Sequence, residues 1–506
     1  IWSVGTGEPA VGRYLDKIKD HVLEWPYDSK RPHPCLFMDA AEVKTAIARA
    51  ESDPGMKKEQ ARGEFAWAWN AFAMPSAIGL PQKPADQQSP EEKAKVIGAL
   101  RKQLSFLGEF DVMRGAIGLA GLYDALIDST LVAPDEKPLL RAQMAEFAYV
   151  LADPKCWSPE RGYHSGNPNM SCSYILSLGI IACAISDHPK AKTWTDYASG
   201  WMDRWLDSEV GPNGEWIPEG SHYSTVSIDV MLAYAIAAKR AGFKDFTNDP
   251  RLKKMLLYYA KTQTPRDPQR GNFRASGAWG RGTSGDAMPL FAMAAIMSAK
   301  SDPDFSQTMQ WIWSAEGFPP GGADWRMGGY EPYAFDPKLP AKTPAWNSEL
   351  FPNLGVFCRS AFETPYESYI ILLSHTDSLR NLDVWTPGIG GISQWFGRGK
   401  PLSTCFNMDT GYAVRHELLR DGVRLARNWG APEDPKMPFG HYTTTAPQAV
   451  ALQSAADYVR STFAYTKVDD RDWFPNPPPP AYPRVAPAKE PKLEWTRQML
   501  FMKDAD

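Results

Sequence analysis

Tyr366-Glu367-Ser368-Tyr369-Ile370-Ile371-Leu372-Leu373-Ser374 reads as a β-strand, and with Leu354-Gly355-Val356-Phe357-Cys358-Arg359-Ser360 before it the chain changes texture. Aromatic and β-branched residues crowd both runs, and turn residues bound them. Residues 411–416, 459–466 and 493–502 repeat the pattern. No long helical pattern separates these runs, so they predict an antiparallel sandwich rather than a parallel sheet. A Pro-rich excursion over 474–491 interrupts it. The last strand-like run ends at Met502, close to the final residue Asp506. A sheet cut there is expected to be completed by further sequence or by a second chain.

Upstream of Leu354 the texture is helical. Apolar residues recur at spacings of three and four over 40–51, 58–73, 90–107, 110–128, 136–151, 171–186, 191–206, 226–241, 252–262 and 287–300. Breakers fall between them: Asp53-Pro54-Gly55, Asp153-Pro154, Gly211-Pro212-Asn213-Gly214 and Asp302-Pro303. About ten sequential helices joined by short loops predict antiparallel hairpins arranged as an (α/α) toroid or a solenoid. No motif repeats at a fixed period, which disfavours a regular repeat array. The fold class is α+β and multidomain: a toroid over 1–315, a Gly-, Pro- and Trp-rich connector over 316–350, and an antiparallel β-sandwich over 351–506.

Composition narrows the class of function. The chain has 506 residues, a formal net charge of -4 and 43% hydrophobic residues. That is a globular chain of more than one domain. No basic excess points to nucleic acid, and no apolar run is long enough to span a membrane. Nineteen Trp, 20 Tyr and 22 Phe suit stacking against sugar rings, and equally suit large cores. The six Cys are far apart and form no CxxC pair, and the settings of Cys172 and Cys183 are those of buried thiols. The chain begins at Ile1 without a signal peptide, as a trimmed, exported protein would, so a secreted or periplasmic location is expected.

The chemistry-bearing stretch is Gly214-Glu215-Trp216-Ile217-Pro218-Glu219-Gly220-Ser221-His222-Tyr223-Ser224. It packs a phenol, an imidazole and two carboxylates into a Gly/Pro-shaped loop between helices, a common setting for chemistry. A second stretch, Arg266 to Arg281, holds four Arg in sixteen residues: Arg266, Arg270, Arg274 and Arg281. Guanidinium groups pair bidentately with carboxylate or sulfate.

The order of these parts resembles the heparinase II/III-like polysaccharide lyases. The resemblance rests on His33-Pro34-Cys35-Leu36-Phe37 ahead of a helix, and on Gly166-Asn167-Pro168-Asn169-Met170-Ser171 opening another. It rests further on Pro218-Glu219-Gly220-Ser221-His222-Tyr223, on Gly285-Asp286, and on a sandwich strand running to His375. It implies β-elimination on a uronate polymer. A base takes the C5 proton, the C4 oxygen leaves, and a C4–C5 double bond forms. Such an enzyme neutralises the uronate carboxylate and supplies a base and an acid.

By this resemblance Tyr223 is the acid, or acid and base, His375 is the base, and Asn169 neutralises the carboxylate. Asn167 is the other candidate for that neutral contact, but it precedes a proline and suits a turn. His222 is a further catalytic candidate. His164, Glu219, Arg266, Arg270, Arg274, Trp279 and Arg281 are candidate substrate contacts. No cofactor is expected in the chemistry. A structural divalent cation in the sandwich is a weaker expectation, because Asp377 stands where some relatives carry a His; Asp383 and Asp409 would join it. The expected partner is an acidic polysaccharide, with alginate, glucuronan, a glycosaminoglycan and a rhamnose–glucuronate polymer all open. Two other functions compete. A glycoside hydrolase would need opposed carboxylates, for which Glu215, Glu219 and Asp229 are available. A non-catalytic glycan-binding protein would need only the aromatics and the Arg cluster.

Overall fold

The computed structural model describes residues 31–52, 79–104, 112–153, 168–216, 221–275, 289–318, 335–352, 354–373, 392–404, 419–420, 423–424, 440–444, 447–467 and 493–503. Ten α-helices come first among them: α1 (Ala40–Ser52), α2 (Pro90–Leu104), α3 (Val112–Leu126), α4 (Lys137–Leu151), α5 (Pro168–Ala184), α6 (Ala191–Ser208), α7 (Ser221–Arg240), α8 (Pro250–Lys261), α9 (Pro289–Ser298) and α10 (Pro303–Ala315). Strands follow, from β1 (Glu349–Phe351) onward. The expected helix over 58–73 and strand over 411–416 lie outside the described residues.

Proline starts many of these helices rather than ending them. α2, α5, α8, α9 and α10 each open on one, since the first helical position has no use for an N–H. Asp249 caps α8 by accepting the Arg251 N–H at 2.8 Å, and Asp302 caps α10 by accepting the Phe305 N–H at 3.3 Å. Asp302-Pro303 is therefore a helix start. α10 was missing from the helices expected above because that pair reads first as a breaker.

The helical core centres on α5, which is apolar on every side. Its Ile175, Leu176, Ile180, Ile181 and Cys183 are fully buried, as a helix surrounded by others requires. α3, α4, α6 and α7 pack around it. α6 instead shows one apolar stripe, with Trp194, Ala198, Met202 and Trp205 inward and the Lys192–Asp196 ion pair in solvent. The loop from α5 to α6 spans 185–190 and that from α6 to α7 spans 209–220.

The strands form an antiparallel sheet in the order β1-β2-β3-β4-β5, where β2 is Gly355–Ser360, β3 Ser368–Leu373, β4 Ile392–Gly397 and β5 Lys400–Thr404. A hairpin of β6 (Leu419–Arg420) and β7 (Val423–Arg424) stands apart. In a further sheet, β10 (Ala456–Lys467) pairs with β11 (Leu493–Met502), β8 (Gly440–Thr444) and β9 (Ala449–Leu452). The five-stranded sheet is covered on both faces. Phe351, Phe357, Tyr369, Ile371 and Phe396 join the helical core. The alternate residues Val356, Cys358, Ile370 and Leu372 meet Val459 and Phe501 of the other sheet. Every residue of β2 is buried as a result, which is why it reads as an unbroken run rather than an alternating one.

Buried Asp457 ties these layers together: its carboxylate accepts from Ser348 just before β1 and pairs with Lys503 at 2.8 Å. Cys35, Cys172, Cys183 and Cys358 are buried free thiols. The aromatic residues go largely to packing, with Tyr123, Tyr234, Tyr258, Tyr259 and Tyr369 among the largest fully buried side chains. No helix among the described residues is long and apolar enough to cross a membrane.

Candidate active site

α7 begins at Ser221, not at 226, so His222 and Tyr223 sit in the first turn of a helix rather than in the loop before it. A helix start carries partial positive charge from its unpaired N–H groups, which favours an anion or a phenolate nearby. Asn169 lies in the first turn of α5 and is fully buried. A Cβ built on Gly179 would fall 2.4 Å from the Tyr234 ring, which shows how closely the two helices lie.

The sheet docks on the end of α8, beside the first turn of α7. The Tyr259 hydroxyl, in the last turn of α8, hydrogen-bonds Ser224, the residue after Tyr223. The Tyr258 ring meets Phe351 of β1 edge-on, with centroids 4.8 Å apart. Burial above all, then the neighbouring Tyr259 and Glu215, holds the Tyr258 phenol protonated. Lys261, at the end of α8, pairs with Glu349 at 2.7 Å. Tyr369 of β3 donates to the Thr262 carbonyl at 2.8 Å. β3 then runs to Leu373, two residues short of His375, which itself lies outside the described residues.

The Arg-rich stretch does something other than expected. Arg274 has a side chain with no exposure. It bonds Glu363 at 2.8 Å through Nε, pairs with Glu367 at 2.5 Å and donates to the Thr264 carbonyl at 2.6 Å. Arg359 shares Glu367 and donates to the Gln263 carbonyl at 2.5 Å. Arg266 holds the second oxygen of Glu363 at 2.9 Å. Burial works against charge on Glu363, yet Arg266 and Arg274 win and keep its carboxyl below the ordinary range. Arg274 was a candidate substrate contact. Its guanidinium is spent inside the seam between helices and strands, so it has no surface for a ligand. Arg266 and Arg270 are half-exposed; Arg270 lies 3.8 Å from Asp267.

Glu215 is also turned inward. It is fully buried, and its carboxylate accepts the Asn213 N–H at 2.9 Å within its own turn. Asp229 is buried on α7. His164, Asn167, Glu219, Trp279, Arg281, Asp377, Asp383 and Asp409 lie outside the described residues, as do the side chains of His222 and Tyr223.

One cluster among the described residues has metal-ligand chemistry: His33, Cys35 and Asp124. Its contacts are those of a hydrogen-bonded knot. Asp124 is 2.7 Å from His33 Nδ1 and accepts the backbone N–H groups of Cys35 at 2.9 Å and Leu36 at 3.0 Å. Burial, then the Asp124 charge, pushes the Cys35 thiol up, whereas a metal wants the thiolate. The knot anchors the segment before α1 to the end of α3.

No protein-family model matches the chain, and no curated protein matches it. Solved structures do. One described as the crystal structure of heparinase III is 13% identical, with a TM-score of 0.52 over 92% of this chain and 76% of that one. A heparan sulfate lyase HepC mutant from Pedobacter heparinus is 12% identical, with a TM-score of 0.51 over 97% of this chain and 72% of that one. At such identities the likeness establishes a shared fold, the helical array followed by antiparallel sheets.

Proposed function

We propose that this chain is a polysaccharide lyase that cleaves a uronate-containing acidic polymer by β-elimination. One observation carries the reading: the five-stranded sheet is docked on the end of α8, which is itself bonded to the first turn of α7 through Tyr259 and Ser224. In this reading the strand toward His375 and the turns that hold Asn169 and Tyr223 share one cleft. The fold shared with heparinase III and a heparan sulfate lyase supports it, and favours a glycosaminoglycan-like substrate among the uronate polymers.

The roles follow from the chemistry. A uronate C5 proton is poorly acidic while the carboxylate beside it is charged. The Asn169 amide donates to that carboxylate, and the two helix starts add favourable potential for an anion. His375, as a neutral imidazole, takes the C5 proton. Tyr223 gives its proton to the departing C4 oxygen, and its place in a first helical turn eases the phenolate that results. No metal is needed in this sequence of steps.

The test is ultraviolet absorbance from unsaturated uronate ends on a panel of polymers. A rise with one polymer is expected for the parent protein. Tyr223→Phe should lower the rate by about 10²–10⁴-fold while its circular dichroism stays unchanged. New reducing ends without absorbance would replace the lyase with a hydrolase.

A further inference from the structure

The turn before α7 is built with unusual economy of contacts. Val210 and Trp216 bridge its base. The Gly211 N–H donates to the Glu215 carbonyl at 2.7 Å, and the Gly214 N–H to the Gly211 carbonyl at 3.0 Å. Gly214 has a φ of 92°, and a Cβ there would lie 2.2 Å from the Lys254 carbonyl oxygen, so the turn is seated directly on α8. Asn213 is at its tip. Its backbone N–H is held by Glu215, and its side-chain Nδ2 donates to the Leu350 carbonyl at 2.7 Å.

Leu350 belongs to β1, the edge of the five-stranded sheet, where a carbonyl needs a partner from outside the ladder. It pairs with Val356 in β2, and Val356 pairs with Leu372 in β3. The row Leu350, Val356, Leu372 therefore crosses the sheet to a point three residues before His375. From Asn213 in the other direction, the chain runs to Ser221, His222 and Tyr223. Other polar ties across the seam leave from α8 and the stretch after it, among them Lys261 to Glu349, Gln263 to Arg359, and Arg274 to Glu367.

We propose that Asn213 is a positioning residue, which fixes the first turn of α7, with Tyr223, relative to the sheet row that leads to His375. The inference rests on the lyase reading and deepens it. The residue type fits the task. An amide offers a donor to a carbonyl without a charge, and Asn tolerates a turn tip. Aspartate has the same shape but no donor, and its charge would face the Leu350 carbonyl.

The experiment compares the parent protein, Tyr223→Phe, Asn213→Ala and Asn213→Asp on the polymer that gives unsaturated ends. Amide hydrogen exchange of each is followed in parallel. In both Asn213 variants kcat should fall by about 10²-fold, the cost of roughly 1 Å of misplacement, with KM little changed. Exchange should rise together over 217–224 and 370–375. An unchanged kcat in an active background overturns the role of Asn213 alone, as does faster exchange confined to 211–216. A parent protein inert on every polymer overturns the lyase reading and this role with it.

Discussion

Arg274 is the residue on which the seam turns. It serves Glu363 and Glu367 at once, and Glu367 is 2% exposed. Removing one partner of a buried ion pair strands the other. Arg274→Met should therefore destabilise by about 3–5 kcal/mol in chemical unfolding. Adding Glu367→Gln should deepen the loss, because it strips the buried Arg359 of its carboxylate as well; a double variant as stable as Arg274→Met alone would contradict this. Glu316 is the opposite case. It is buried, and neither carboxyl oxygen has a hydrogen-bond partner among the described residues. Burial raises its carboxyl well above the ordinary range, opposed by the charge of Arg274. The folded protein thus keeps a proton that the unfolded chain releases above about pH 4.3. Stability from this group is full below that value and falls as pH rises toward the folded one. Glu316→Gln, neutral throughout, should raise the melting temperature at pH 7 and leave it unchanged near pH 4. Parallel curves for the two proteins would sink the argument. None of this was legible in the sequence. The Arg cluster was visible as charge, but the carboxylates that claim Arg274 lie 89 and 93 residues further on, and only folding brings them together.

Among the elements, α5 was the easiest to read and is the least forgiving. A helix apolar on every side announces its burial, and its Gly179 announces nothing until the packing is seen. A Cβ on Gly179 would lie 2.4 Å from the Tyr234 ring and 2.8 Å from Ala198 Cβ, both in the core. Overpacking of this kind costs about 1–3 kcal/mol, so Gly179→Ala should lower stability by that amount even though alanine is the better helix former. A melting temperature equal to the parent's would mean that α6 and α7 can give way. Helix starts were harder to read than helix bodies. Periodicity located α7 from 226, because Ser221 to Thr225 have no apolar rhythm, yet the helix takes them in and carries Tyr223 with them. α10 was hidden by an Asp-Pro pair that serves as cap and first residue. Local patterning speaks for the middle of an element, whereas its ends are fixed by what the backbone finds to bond.

At the scale of the whole molecule, the change from a period of three and four to strand-like runs gave the two-part architecture. What the pattern could not give was how the parts meet, because a seam is made of residues remote in the chain. The five-stranded sheet, wrapped on both faces, has a practical consequence. If the chain were cut within 319–334 and each piece made alone, the strand piece would show water the faces of Phe351, Phe357, Tyr369, Ile371 and Phe396 that now lie in the helical core. The helical piece would lose the cover over Tyr258 and leave Arg274 without its acids. Sticky surfaces of that kind drive aggregation. The halves are better regarded as one cooperative body than as modules for separate reuse, and a scheme to recombine such enzymes should exchange loops at the sheet's ends and leave the seam whole.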